Sequence, residues 1–148
     1  MMNGREYWFL IVLLLQGTFT FCSDEHPRYT AARLTDHLKN IIEGHVDFDE
    51  AQIFTDDVHV HDCDGEGHLE YLKTKLAHLI AEVSQVSMTV KFAYHMPYTN
   101  NSIQFTVDQF LVLKNADKSE NELVLFAKAD DENSEIYKIY ELRQTPCT

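Results

Sequence analysis

The sequence predicts an α+β domain in which helices come first and an antiparallel sheet follows. Two observations carry that prediction. The first is a change of hydrophobic period from about 3.6 to 2 near Val83. The second is the spacing of short polar turns after that point, at Pro97–Asn101, Asn115–Ser119 and Asp130–Asn133, which joins successive strands as a meander.

Residues 1–22 read as a cleaved secretory signal peptide rather than as part of the fold. Arg5 is followed by nine continuous apolar residues, Tyr7–Leu15, and then by a polar tract ending near Cys22. Nine residues fall short of the roughly 20 needed to span a bilayer, and a lipid anchor on Cys22 needs a small residue where Phe21 stands. Cleavage is expected near Cys22–Ser23, with Thr20 as an alternative. Residues 23–148 then form one secreted domain, long enough for a core of its own.

Within that domain, Leu34, Leu38, Ile41 and Ile42 mark one face of a helix over about 30–43, and Gly44 suits the position just past its end. Asp47, with Glu50 three residues on, signals the start of a short helix carrying Phe48, Ala51 and Phe54. Asp57–Asp62 alternates apolar and polar residues as a strand with Val58 and Val60 inward. Asp64–Gly67 breaks the pattern and places Gly67 or Asp64 near the cap of the long helix that follows. Leu69, Leu72, Leu76, Leu79, Ile80 and Val83 form its apolar stripe, and Glu70, Lys73, Lys75 and Glu82 its solvated face. Beyond it, Val86, Met88, Val90, Phe92 and Tyr94 alternate as the inner face of a strand. Ile103, Phe105, Val107 and Leu111 do the same in the next. Strands over 123–129 and 136–143 complete the sheet.

Twenty-four acidic residues against 12 basic ones give a net charge of −12, which opposes binding to nucleic acid or to an anionic membrane surface. With the signal removed, Cys63 and Cys147 remain as an even pair in an oxidising compartment. They are read as a disulfide, against two free thiols or Cys63 as a metal ligand. Such a bridge closes a loop of about 85 residues, worth on the order of 4 kcal/mol by chain entropy. Asn100-Asn101-Ser102 is a glycosylation sequon on a hairpin tip, with Asn100 as the acceptor.

The order of two helices, a short strand, a long helix and a meander resembles the nuclear transport factor 2-like superfamily, which includes ketosteroid isomerases, scytalone dehydratase and SnoaL-like cyclases. The resemblance is most specific from Phe48-Asp49 through Phe54-Thr55-Asp56-Asp57-Val58-His59-Val60-His61-Asp62 and extends over residues 30–148 in element order. It implies a strongly bent, mostly antiparallel sheet whose concave face holds the helices, giving a cone with an internal pocket. It also implies a first strand parallel to the last, which brings Cys63 and Cys147 to one end of the sheet and supports their pairing. A homodimer through the outer sheet face, and a small hydrophobic ligand in the cone, are further implications.

The family's enzymes place an Asp, His or Tyr in the pocket for proton transfer. His59 and His61 share one face of the first strand, a spacing that lets both imidazoles reach one ion with Asp62, Asp64 or His68 near. Because Val58 and Val60 suit the interior, the two histidines are expected to face out, and no metal is assigned to them. Asp108 is expected to face out for the same reason, opposite Val107. Tyr94 is expected to share the inner face with Phe92 and to be a core residue. No convincing acid–base pair maps onto inward positions, and neither a phosphate loop nor any other cofactor motif is present. The expected function is a secreted cone-fold domain that binds a small apolar ligand or another protein without catalysis. The alternative is an isomerase, dehydratase or cyclase acting on a hydrophobic carbonyl compound.

Overall fold

The period changes in the sequence reappear as element boundaries in the computed structural model, which describes residues 25–99, 101–131 and 134–147. Residues 1–22, expected to be a signal peptide, and Asn100, the expected glycosylation acceptor, lie outside those residues. The elements are α1 (Glu25–Ile42), α2 (Phe48–Ala51), β1 (Phe54–Asp62), β2 (Gly65–Gly67), α3 (Leu69–Glu82), β3 (Val83–His95), β4 (Ser102–Leu113), β5 (Lys118–Ala129) and β6 (Tyr137–Thr145). The six strands form one sheet in the order β2-β1-β6-β5-β4-β3. All neighbours are antiparallel except β1 and β6, which run parallel, so the sheet is mixed and open, with helices packed on it.

Local chemistry sets the boundaries. Gly44, at φ 74°, takes the left-handed conformation that ends α1. Asp47 caps α2 by accepting from the Asp49 N–H at 2.9 Å. The helix α1 starts five residues earlier than its apolar pattern suggests, because its first turn carries Pro27, which a helix start tolerates. The Gly65–Gly67 segment, expected only as a break, pairs back on β1 as a short antiparallel strand. The cap residue of α3 is His68, not Gly67 or Asp64, and its side chain makes no capping bond. Gly67 serves another purpose: a Cβ there would clash with the Tyr71 side chain, so only glycine lets Tyr71 pack this closely against β2.

The core lies between α1 and the inner sheet face. Leu34, Leu38, Ile41, Ile103, Phe105, Leu125, Ile139, Val58 and Val107 are fully buried there. Within α3 only Leu72 and Leu76 are buried, and Ile80 is exposed rather than in the stripe.

One expectation fails on β3. Val90 pairs with Val107, but Phe92 pairs with Thr106 and Ala93 with Phe105, so Lys91 is an extra residue in the ladder. A bulge of this kind reverses the alternation beyond it. Ala93 turns inward, while Phe92 (60% exposed) and Tyr94 (47% exposed) turn out. Tyr94 is therefore an outer-face residue, not a core one. Further register shifts occur in the β1–β6 and β5–β6 ladders, and each adds local bending to the sheet.

Cys63 follows β1 and Cys147 follows β6; the parallel pairing brings them to one end of the sheet, where they form a disulfide with Cα atoms 5.0 Å apart. No helix among the described residues is long and apolar enough to cross a membrane.

Candidate functional site

The four residues singled out for chemistry do not meet in the interior. Asp108 lies on the outer face, opposite Thr89 and Glu122, and with Glu122 it holds Lys91 at 3.5 and 2.8 Å. Tyr94 lies on the same face beyond the bulge. His59 and His61 also point outward, because Val58 and Val60 take the inward positions of β1. They meet each other, with ring centroids 4.1 Å apart, and they meet Glu66 of β2. The acid that joins them is therefore Glu66, not Asp62 or Asp64, both of which are engaged elsewhere.

Where the apolar stripe of α3 stands away from the sheet, a cavity of about 100 Å³ opens to solvent. Leu38 and Ile42 of α1, Leu72, Leu76 and Leu79 of α3, and Val60, Leu123 and Leu142 of the sheet form its apolar wall. Four polar side chains complete it: Asp62, Lys75, Gln109 and Gln144.

Asp62 ends β1 and has the most hydrogen-bond partners of the four. Its Oδ1 accepts from the backbone N–H groups of Asp64 and Gly65 at 2.8 and 3.0 Å and from the Tyr71 hydroxyl at 2.7 Å. Its Oδ2 lies 3.3 Å from Lys75 Nζ, and the side chain is only 11% exposed. Burial pushes the Asp62 carboxyl up, but hydrogen bonds from Tyr71, from the Asp64 N–H and from Lys75 outweigh it and hold the group below the usual carboxylate range. The partners shift reciprocally. The bond to Asp62 raises the Tyr71 hydroxyl, and Lys75, bonded chiefly to Asp64 and then to Asp62, is raised as well. At neutral pH this pole is an ionised carboxylate with little capacity left to take a proton.

The two glutamines differ. Gln144 donates to Asn121 Oδ1 at 2.9 Å. Gln109 sits on the inner face of β4 between Val107 and Leu111, is 7% exposed, and lines the cavity wall. A polar amide placed in an apolar wall can fix the orientation of a ligand that supplies a donor or acceptor.

Sequence reasoning missed this set. Asp62 was visible only as a neighbour of the histidines, and Lys75 read as solvated because it lies beside the α3 stripe. Gln109 gave a usable signal: it occupies an inward phase of β4 that an apolar residue would ordinarily fill.

No family model matches the chain, and no curated protein sequence matches it. Solved structures do. A chain named Rd1NTF2_04 with long sheet is 16% identical, with a TM-score of 0.61 over 78% of this chain and 99% of that one. An NTF-2 like protein of unknown function from Pseudomonas aeruginosa is 12% identical, with a TM-score of 0.61 over 83% and 99%. A type 2 hexachlorocyclohexane dehydrochlorinase, LinA, is 12% identical, with a TM-score of 0.60 over 80% and 83%. At such identities the likeness is one of fold, and it agrees with the strand order, the parallel β1–β6 pair and the helices on the sheet. The chain has the nuclear transport factor 2-like fold.

Proposed function

We propose that this is a secreted, non-catalytic binding domain that takes a small amphipathic ligand at the mouth of its cone. The observation that carries the reading is the placement of the Gln109 side chain, 7% exposed, in a largely apolar cavity wall beside the Asp62–Tyr71–Lys75 pole. About 100 Å³ is less than the roughly 150 Å³ that encloses benzene in an engineered core, and well below the 300–1,000 Å³ of pockets for drug-sized molecules. The cavity therefore suits a short alkyl or ring fragment carrying one hydrogen-bonding group, or the end of a longer amphiphile whose remainder lies outside.

Fold alone carries no activity from one protein to another, and LinA's dehydrochlorination belongs to LinA. The enzymatic alternative, an isomerase, dehydratase or cyclase for a hydrophobic carbonyl compound, needs a proton acceptor at the cavity. Asp62 is the carboxylate in the wall, and its lowered pKa and full set of partners make it a poor one.

Native mass spectrometry of the protein secreted from a eukaryotic host without reductant tests the reading. We expect a chain beginning near Ser23, oxidised at Cys63 and Cys147 and glycosylated at Asn100, with added mass that leaves on mild activation. A bare polypeptide that also gains no thermal stability from any member of a panel of small amphiphiles would overturn it.

A second reading rests on a separate observation. The bulge at Lys91 exposes Phe92 and Tyr94 together on the outer face, and exposed aromatic pairs of this kind suit an interface. We propose self-association there. Sedimentation of the wild type and of Phe92→Glu checks it: a dimer that becomes a monomer supports it, and a wild-type monomer at all concentrations contradicts it.

A further inference from the structure

We propose that His59, His61 and Glu66 form a divalent transition-metal site on the outer face of the β1–β2 corner. The arrangement follows from register. His61 stands directly opposite Glu66 in the antiparallel β1–β2 pair, and His59 lies two residues along β1, so all three side chains share one face. One ligand atom from each can be chosen so that all lie within 4.8 Å of one another. Glu66 Oε2 is 3.2 Å from His61 Nδ1 and 4.0 Å from His59 Nε2. A tetrahedral zinc with bonds near 2.0–2.1 Å sets its ligand atoms about 3.3 Å apart. The His61–Glu66 edge already matches that spacing, the His59–Glu66 edge needs a shift of under about 1 Å, and the His59–His61 edge closes by rotation of two outer-face rings that start within 4.8 Å.

The surroundings hold the set in place. The His68 ring stacks on His59 at 5.2 Å, and its Nδ1 lies 3.2 Å from the Val58 carbonyl, which accepts only and so calls for a protonated Nδ1. Arg143, opposite His61 on β6, is the nearby cation; it is bonded to Glu141 and lies over the Phe126 ring. Glu141 is thereby occupied, while Glu66 is exposed and has the two imidazoles as its partners.

Two imidazoles and one carboxylate select zinc or copper over calcium and magnesium, which require oxygen ligands. Three protein ligands leave a fourth position for water or for a group from a partner, so the ion is exchangeable rather than enclosed. Binding would also tie β2, an edge strand, to β1.

The test uses the mature disulfide-bonded protein, made without a polyhistidine tag and stripped with a chelator. Calorimetry should find one zinc per chain, and copper should give an electron paramagnetic resonance spectrum split by two nitrogens. The double variant H59A/H61A should weaken zinc binding more than about 100-fold, beyond the 10–100-fold that outer-sphere partners are worth, and E66Q should weaken it measurably without changing the metal-free Tm. H78A, on the exposed side of α3, should bind as the wild type does, and calcium should give no heat. Equal zinc affinity in the wild type and E66Q, or a copper spectrum without the two-nitrogen pattern, would overturn the assignment. Both readouts stand even if the double variant fails to fold.

Discussion

The helices α1 and α3 carry similar apolar stripes, yet the sheet treats them differently. Thr30, Ala31, Leu34, Thr35, Leu38, Ile41 and Ile42 of α1 are among its buried residues, and this helix packs along β3 and β4. In α3, Leu72 and Leu76 are buried, Leu69 and Leu79 are partly so, and the helix rests on β1, β2 and α1. Periodicity reports that a helix has an apolar side, not how completely the sheet covers it. The covered helix builds the core. The half-covered one is left with exposed stripe residues at its edge, and there the cavity opens.

Substitutions along the two stripes should separate them. Leu34→Ala, in α1, should destabilise the protein by about 3–4 kcal/mol, since a fully buried leucine leaves a cavity that the neighbours fill incompletely. Chemical denaturation measures this, and a loss under 1 kcal/mol would contradict the packing described. Replacing Cys63 and Cys147 together by alanine should remove about 2–4 kcal/mol, because a link across 84 residues restricts the unfolded chain strongly.

Smaller effects are expected near the cavity. Asp62→Asn should reduce stability at pH 7 by about 1–2 kcal/mol, because the Tyr71 and Lys75 groups lose their anion. The folded-state pKa of Asp62 is lowered, so its contribution is complete above its unfolded value near 3.9 and fades as pH falls through the lower folded value. The gap between wild type and variant in thermal midpoints should therefore close as pH falls below about 4. Leu79→Ala, at the exposed edge of the α3 stripe, should change stability by less than about 1 kcal/mol while weakening any ligand seated in the cavity. Comparable losses for Leu34→Ala and Leu79→Ala would remove the distinction between the two helices.

Much of this arrangement was legible in the sequence, and the failures have identifiable causes. The α+β order, the meander, the inward Val58 and Val60 and the outward Asp108 follow from local period, which the fold obeys wherever the ladder is regular. Phe92 and Tyr94 were misplaced because a bulge depends on the partner strand and leaves no mark in the alternation of β3 itself. Glu66 was not tied to the histidines because a three-residue strand next to two glycines reads as a turn. Asp62 was hard to place because its value comes from Tyr71 and Lys75, a turn of helix apart on another element. The cavity itself had no signature, since the residues that wall it also build core.

The most direct test of the cone mouth as a binding site is a nuclear magnetic resonance titration that follows the Gln109 side-chain amide. Small amphiphiles with one hydrogen-bonding group are added to the mature protein and to Gln109→Leu. The account predicts that at least one saturably shifts the Gln109 amide together with the backbone signals of Leu76 and Leu79, and that binding weakens about 5- to 30-fold in the variant, as expected for the loss of 1–2 kcal/mol. Saturable binding confined to other surfaces, or unchanged affinity in Gln109→Leu, would contradict it.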